Sequence, residues 1–365
     1  SNLHSTTDGI VIQTNGVTVD LMGFSLTGEG SNGNYGIHVD GATNAPIEDL
    51  VIKHGRISGF WNGLLCQHMN NSRIGQMVVS GNADAGVTLD GGSSGRCDGN
   101  TITDCSISGN NGYGVYLDAT DGQCKGNTIT DCSISENGKA GVYLDGGKGQ
   151  SAGQGGRCDG NTITDCSIKG NHVYGVHVSA DGGQCKGNAI ANCSINANIS
   201  YGVYIYGDNS GQCNGNTVAG CFISKNSNSG VHLSGGANSH GRCNGNSIVN
   251  CTISENSNPG VKLDGGGGEC DGNTVQGNRI TGNALGGIYI DEGSGNRVEA
   301  NSVWGSSGLA AYGICTTNAE NNLIMKNTCV KNGVNFCLDP ADTHGPIVTT
   351  VGPLAGADPW ANFSR

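Results

Sequence analysis

Three short sequence blocks recur in a fixed order along this chain, at intervals close to 27 residues, as between Gly9, Gly36 and Gly63. In the central part of the chain they read Gly-Val-x-Leu, Gly-Asn-Thr-Ile-Thr and Cys-Ser-Ile-Ser. Each block alternates apolar with polar residues, which is the period of a β-strand. Because no segment between the blocks has a helical pattern, successive copies are expected to stack in parallel, about 4.8 Å apart. The repeat therefore predicts an all-β fold, a parallel β-helix (β-solenoid) of about a dozen coils with three short strands per coil.

The alternation within each block predicts which side chains enter the core. Val115 and Leu117 of one first block, with Ile102 and Ile107 of the neighbouring blocks, are expected to point inward. Asn recurs at two turns of the coil, and Asn tolerates left-handed backbone and can bond to its own copy one coil away. We therefore expect two structural Asn columns, which are Asn110, Asn137, Asn171, Asn198, Asn226, Asn256 and Asn283 in one and Asn100, Asn127, Asn161, Asn188, Asn216, Asn246 and Asn273 in the other.

Composition limits the classes of function. Gly contributes 66 of the 365 residues and charged residues only 13%, which suits a chain that turns every few residues better than a disordered one. The net charge of −12 argues against nucleic acid as a partner, because nucleic-acid binding needs clustered Lys and Arg. No apolar run approaches the length of a membrane span, so membrane insertion is not expected.

Seventeen Cys residues are unusual for a cytosolic protein, and their regular spacing indicates an oxidising compartment. The coils between residues 97 and 251 contain Cys-x7-Cys pairs, whereas Asn278 stands where a partner of Cys270 would be. Disulfides within a coil, disulfides between stacked coils and a column of reduced thiols all remain open. The disulfide candidates are Cys97, Cys105, Cys124, Cys132, Cys158, Cys166, Cys185, Cys193, Cys213, Cys221, Cys243, Cys251, Cys315 and Cys337.

Together these motifs resemble a known family, the exported right-handed parallel β-helix repeat proteins of bacteria in the pectate-lyase-like superfamily. The segment Val17–Gly28 resembles the family's first-coil motif, the coils from Gly9 to Leu338 resemble its repeats, and Gly345–Arg365 resembles the C-terminal ending of an uncharacterised branch. The resemblance implies a right-handed helix and a secreted or cell-surface location. We expect a single β-helix domain at residues 1–338 and a non-repeat tail at residues 339–365 that packs on, or extends from, the last coil.

One outward column, the third position of Gly-Val-x-Leu, is rich in Tyr and His. A row of aromatic and ionisable groups is what a sugar-binding groove needs. A uronate lyase or epimerase would need a base and a cation, which Tyr204, His232 and Lys262 could supply. A glycoside hydrolase would need two carboxylates, for which Asp264 and Asp291 are the candidates. The candidate binding residues are Tyr116, Tyr143, His177, Tyr204, His232 and Tyr289.

Two functions remain open. The uniform repeat, in which chemistry singles out no coil, favours a secreted structural or surface protein whose open ends associate into extracellular fibres. The alternative is a carbohydrate-active enzyme, a polysaccharide lyase or glycoside hydrolase, or a sugar-binding module with a polysaccharide as its partner. No cofactor is expected and no metal ligand is assigned, although Asp-Gly turns such as Leu144–Gly147 leave Ca²⁺ as a minor alternative.

Overall fold

The computed structural model describes residues 2–30, 33–148, 155–236, 240–306, 308, 311–349 and 358–365. These residues form short strands joined by turns, and none of them is helical. The chain winds round three faces, and each strand pairs in parallel with its copies in the neighbouring coils. The all-β parallel β-helix expected from the repeat is thus confirmed.

The first face is a sheet of thirteen strands, formed by the Gly-Val-x-Leu blocks. The register is regular, so that Val115 lies beside Val142 and Tyr116 beside Tyr143. The strands are β2 (Ile10–Ile12), β5 (Tyr35–Asp40), β8 (Asn62–Gln67), β11 (Val87–Asp90), β14 (Val115–Asp118), β17 (Val142–Lys148), β20 (Val176–Asp181), β23 (Val203–Asp208), β26 (Val231–Ser234), β29 (Val261–Asp264), β32 (Gly286–Asp291), β35 (Tyr312–Thr317) and β38 (Val334–Cys337).

The second and third faces belong to one large sheet, because two long strands, β7 (Val51–Ser58) and β10 (Arg73–Ser80), run round the corner between them. The second face also contains β3 (Thr18–Asp20), β12 (Thr101–Thr103), β15 (Thr128–Thr130), β18 (Thr162–Thr164), β21 (Ala189–Ala191), β24 (Thr217–Ala219), β27 (Ser247–Val249), β30 (Thr274–Gln276), β33 (Arg297–Glu299), β36 (Leu323–Met325) and β39 (Thr343–His344).

The third face contains the remaining strands of the large sheet, formed mostly by the Cys-Ser-Ile-Ser blocks and their variants. They are β1 (Leu3–His4), β4 (Ser25–Thr27), β13 (Ser106–Ser108), β16 (Ser133–Ser135), β19 (Ser167–Lys169), β22 (Ser194–Asn196), β25 (Phe222–Ser224), β28 (Thr252–Ser254), β31 (Arg279–Thr281), β34 (Ser302–Trp304), β37 (Thr328–Val330), β40 (Ile347–Val348) and β41 (Asn362–Ser364). A separate parallel pair, β6 (Ile47–Glu48) with β9 (Met69–Asn70), lies in the early coils.

The core is a stack of aliphatic side chains with one copy per coil. Val115, Leu117 and Ile107 are fully covered and Ile102 nearly so, as the alternation predicts. Burying a side chain of this size contributes about 1.5–3 kcal/mol relative to leaving it exposed, so the repeated core is the main source of stability.

Each coil turns at three corners built on one plan. A residue in left-handed backbone conformation, such as Gly99 (φ 68°), Asp104 (φ 54°) or Gly109 (φ 63°), is followed by a buried side chain. At the first and third corners that side chain is Asn, which donates from Nδ2 to the Oδ1 of its copy in the next coil. The Nδ2–Oδ1 distance is 3.0 Å from Asn100 to Asn127 and 2.9 Å from Asn110 to Asn137.

These bonds satisfy amide groups that would otherwise be buried without partners, at a cost of about 1–3 kcal/mol each. The same contact recurs from coil to coil along both columns. The structural role predicted for the two Asn columns is therefore confirmed.

The middle corner holds Cys in six coils. The backbone N–H of Cys105 donates to Cys132 Sγ at 3.4 Å, and the Cys105 thiol donates to the carbonyl oxygen of Thr103 at 3.2 Å. Beyond Cys251 the same corner is occupied by Asn278, whose Oδ1 accepts the backbone N–H of Cys251 at 2.9 Å. This Cys column therefore occupies a structural position that Asn takes over in the following coils, at Asn278, Asn301, Asn327 and Asn362.

All seventeen Cys residues are free thiols, and only Cys337 is exposed. Cys315 and Cys337 lie side by side in register, as their spacing predicts. Stacking by simple translation places both the Cα and the Cβ atoms of successive copies about 4.8 Å apart, which fits the Cα range of a disulfide but exceeds the usual Cβ range. The disulfide pairing considered from the sequence is not present in this structure.

The described part of the tail adds strands beyond the last repeat. Strand β39 pairs with β36, and β41 pairs with β37. Asn362 Oδ1 accepts Asn327 Nδ2 at 3.2 Å, so the corner column ends in the tail. The tail thus covers part of one end of the stack, and end-to-end assembly into fibres stays a prediction. Among the described residues, no helix has the length and apolar character needed to cross a membrane.

Candidate functional site

The Tyr/His row, which comprises Tyr116, Tyr143, His177, Tyr204 and His232, runs along the outside of the first face. Because the strands stack in register, each ring lies against the ring of the next coil. Successive ring centroids are 5.3, 4.7, 5.2 and 5.1 Å apart, and no pair of planes is inclined by more than 24°. Offset stacking of this kind stabilises the row and presents a continuous aromatic surface.

Burial keeps this row uncharged near neutral pH. It lowers the pKa of His177 to about 3. It also lowers the pKa of His232, against the opposing effect of Asp264. Burial raises the pKa of Tyr143 and Tyr204 above the ordinary value for a phenol. The row is therefore a neutral platform rather than a set of ready acids and bases.

A second row of rings, the Tyr-Gly row, lies beside the first and, from residue 113 onward, consists of Tyr113, Tyr174, Tyr201 and Tyr312. Each of these residues immediately precedes the Gly of a first block. Tyr174 lies 4.5 Å from His177, and Tyr201 lies 4.7 Å from Tyr204, between ring centroids. This row was not predicted from the sequence, although the repeated Tyr-Gly pair was a signal for it.

The Tyr-Gly row is interrupted over three consecutive coils, where Ser229, Pro259 and Gly286 occupy the tyrosine position. The missing rings leave a groove of 410 Å³ between Tyr201 and Tyr312. The expectation that chemistry singles out no coil is therefore wrong. Besides Tyr201, Ser229, Pro259 and Tyr312, the groove is lined by Asn228, Asn258, Lys262, Leu285 and Tyr289.

Three of the predicted site residues meet beside the groove. Lys262 Nζ lies 2.6 Å from Asp264 Oδ2, and His232 Nε2 lies 3.5 Å from the same oxygen. Burial would raise the pKa of Asp264, but the nearby His232 and the hydrogen bond from Lys262 outweigh it and lower the pKa to about 2. Asp264 is therefore anionic at neutral pH and holds the Lys262 ammonium group at the groove wall.

The other predicted residues are distributed around this cluster. Lys262 and Tyr289 line the groove, whereas Tyr204 and His232 do not. Asp291 lies beside Asp264 in register on the next strand. A glycoside hydrolase needs one carboxyl group with a raised pKa as its general acid, and the lowered pKa of Asp264 argues against it in that role.

Metal ligation finds no support in the described part of the chain, where no group of three or more His, Cys, Asp or Glu side chains could hold an ion. In the Leu144–Gly147 turn both oxygens of Asp145 already accept hydrogen bonds. Oδ1 accepts the N–H of Gly147 at 2.8 Å, and Oδ2 accepts the hydroxyl of Tyr116 at 3.0 Å. The turn is therefore satisfied by the protein itself.

Two family models match the sequence. Residues 1–155 match the right-handed β-helix region, and residues 152–344 match the periplasmic copper-binding protein NosD. The second match spans more than half of the chain. The chain belongs to the NosD family. No curated protein shows a significant match to this NosD-family chain.

Solved structures share its fold across most of their length. The A-module of the Azotobacter vinelandii mannuronan C-5 epimerase AlgE6 has a TM-score of 0.60 at 14% identity, covering 88% of this chain and 91% of that chain. The A-module of the epimerase AlgE4 from the same organism has a TM-score of 0.55 at 16% identity, with coverages of 92% and 91%. The periplasmic alginate epimerase AlgG has a TM-score of 0.55 at 13% identity, with coverages of 94% and 76%.

At these identities the likeness establishes the fold alone. This member of the NosD family is a right-handed parallel β-helix, and the resemblance to right-handed parallel β-helix repeat proteins is confirmed.

Proposed function

We propose that this chain is a carbohydrate-binding protein that holds a polysaccharide along its first face, in the groove between Tyr201 and Tyr312. The observation that carries the proposal is the interruption of the Tyr-Gly row, which opens a groove in an otherwise aromatic surface. Its fold is also that of two alginate epimerase modules, whose names place them among carbohydrate-active proteins.

The groove combines the groups that sugars require. The rings of Tyr289 and Tyr312 are inclined by only 18°, with centroids 6.3 Å apart, and offer flat faces to the C–H side of a pyranose. Asn228 and Asn258 place side-chain amides in the wall for sugar hydroxyls. Lys262, whose side chain is 25% exposed, adds a cation. A cation among aromatic rings favours an acidic sugar, so uronic-acid polymers are the ligand class we propose.

Binding is better supported than turnover. Removing the C5 proton of a uronate needs a neutral base at the sugar. The Lys262 ammonium group is paired with the Asp264 carboxylate, and burial raises the pKa of Tyr289. Burial also raises the pKa of Tyr201, so none of these three groove residues is set up as a base near pH 7.

Isothermal titration calorimetry with uronate and neutral oligosaccharides tests the proposal. Tyr289→Ala and Lys262→Ala should each raise Kd for the uronate oligomer about tenfold, which corresponds to about 1.4 kcal/mol. Phe222→Ala is the matched control, because it removes a 63% exposed ring from the third face. Failure of every oligosaccharide to bind would refute the proposal, and formation of unsaturated or epimerised products would show that the site is catalytic.

The copper in the family's description does not fit the side chains seen here. No group of suitable ligands occurs among the described residues. The Cys columns run in line through the core, and thiols such as Cys105 and Cys132 donate hydrogen bonds to backbone carbonyls. We therefore assign no copper-dependent step to this chain.

We also infer that the protein is exported by a bacterium. The family description and the AlgG structure both name periplasmic proteins, and a polysaccharide ligand is met outside the cytoplasm. Fractionation of the native host should recover the protein outside the cytoplasm, and recovery with cytoplasmic markers would contradict this inference.

A further inference from the structure

The Tyr-Gly row has a second, narrower interruption at Ala140, between Tyr113 and Tyr174. One ring is missing here instead of three. The space left is a slot of 180 Å³, with Tyr143 and His177 of the Tyr/His row as its floor and Lys139 in its wall. The slot is therefore a reduced version of the groove, with aromatic rings and a single lysine.

We propose that this slot binds one sugar ring of the same polysaccharide that occupies the groove, so that the polymer is held at two separate points. The inference rests on the proposed function and extends it by a second binding site.

The dimensions of the slot suit one ring. Tyr113 and Tyr174 belong to coils two steps apart, which separates their attachment points by about 9.6 Å. A ring inserted midway would have about 4.8 Å to each neighbour. Stacked rings in the two rows already lie at such distances, as between Tyr143 and His177 (4.7 Å) or Tyr174 and Tyr201 (5.9 Å). The slot is too small for an oligosaccharide, since pockets for larger ligands begin near 300 Å³.

The polar groups of the slot favour an acidic sugar. Lys139 Nζ lies 4.7 Å from the centre of the Tyr113 ring, and about half of its side chain (51%) is exposed. Its ion pair with Asp84 is long at 3.9 Å, so the ammonium group can pair with a carboxylate of the ligand.

The separation of the two sites defines the ligand length. Four coil steps lead from Ala140 to Pro259 at the middle of the groove, which is about 19 Å along the axis. A short oligomer can occupy the groove alone, whereas a longer one can reach the slot as well. Two-point attachment should make the longer oligomer bind at least about tenfold more tightly, because the second contact is intramolecular.

Ala140→Tyr tests the slot directly. Tyr is the residue that the repeat uses at this position in the neighbouring coils, so the variant should fold, with its ring filling the slot. It should abolish the tighter binding of long uronate oligomers and leave Kd for short ones unchanged. Lys139→Ala should reduce the difference in affinity between long and short oligomers without blocking the slot. Ser224→Tyr, which adds an equal ring on the third face, is the control and should behave as the parent protein.

The outcomes separate the two proposals. If short oligomers bind in the groove but Ala140→Tyr leaves the gain with length intact, the slot proposal is wrong and the groove proposal stands. If long oligomers show no gain in the parent protein, the slot proposal also fails. If no uronate oligomer binds the parent protein, both proposals fail together.

Discussion

His177 is a single residue whose burial should be measurable as acid sensitivity. Its lowered pKa, about 3, means that between about pH 6.5 and pH 3 the unfolded chain binds a proton that the folded chain does not. Stability must therefore fall as pH is lowered through that window. Between pH 7 and pH 5 this one group should cost about 2 kcal/mol of unfolding free energy.

His177→Phe should remove that part of the loss, since a phenyl ring keeps the stacking on Tyr143 and Tyr204 and has no proton to bind. Urea unfolding at pH 7 and pH 5 measures the difference. The control His172→Phe changes an exposed histidine of the same coil and should retain the parent's pH dependence. Equal pH dependence of the parent and His177→Phe would contradict the burial argument.

The Tyr-Gly row shows where the alternation of residues no longer predicts which side of the sheet a side chain occupies. Tyr113 and Tyr116 are three positions apart, so strict alternation would place them on opposite sides of a strand. They share a side because the strand begins only at Val115, after a turn at Gly114. A Cβ on Gly114 would lie 2.5 Å from Gly141 O and from a methyl group of Ile134, so only Gly permits this close approach. The Tyr/His row, in contrast, follows from alternation alone and was predicted.

At the scale of the element, the strands of each coil are easier to predict from the sequence than the corners. The strands coincide with the repeated blocks, because the alternation of apolar and polar residues is visible in the sequence. The left-handed residues are harder to predict, because Gly99 is joined in this role by Asp104, Glu136 and Ala197, which rarely adopt that conformation. Stacking of buried Asn or Cys side chains fixes the corners, and that contact lies between residues about 27 positions apart in the sequence.

The structural equivalence of Cys and Asn at the middle corner can be tested where the Cys column ends, at Cys251. In Cys251→Asn the new Nδ2 should donate to Asn278 Oδ1, as Asn278 itself does to Asn301 at 3.0 Å. One added buried hydrogen bond should raise the unfolding free energy by about 1 kcal/mol. Thermal and urea unfolding would measure the gain. Cys193→Asn, which has Cys on both sides in the column, should show no such gain, and equal effects of the two variants would contradict the column model.

At the scale of the whole molecule, the regular spacing between stacked coils bears on the oxidation state of the Cys residues. Successive Cβ atoms about 4.8 Å apart are too distant for an unstrained disulfide. We therefore expect all seventeen thiols to be alkylated in denaturant without a reductant, as counted by intact mass. A mass that accounts for fewer modified Cys residues would instead support the disulfides considered from the sequence.

At the same scale, the tail affects whether one chain can associate with another at the end of the stack. Strands β39 and β41 pair with the last repeat and cover strand edges that could otherwise recruit another chain. We expect the full chain to sediment as a monomer, and removal of residues 339–365 to produce concentration-dependent oligomers. Oligomers of the full chain would support the fibre hypothesis drawn from the uniform repeat.

The regular advance of about 4.8 Å per coil gives this protein a built-in unit of length. Any two features on the first face are separated by a whole number of such units, whatever residues lie between them. Inserting or deleting one complete coil between Ala140 and Ser229 would therefore lengthen or shorten the distance from slot to groove by one unit and leave both sites intact. Duplication of one repeat could in this way change the oligosaccharide length that spans both sites, without altering a single contact residue.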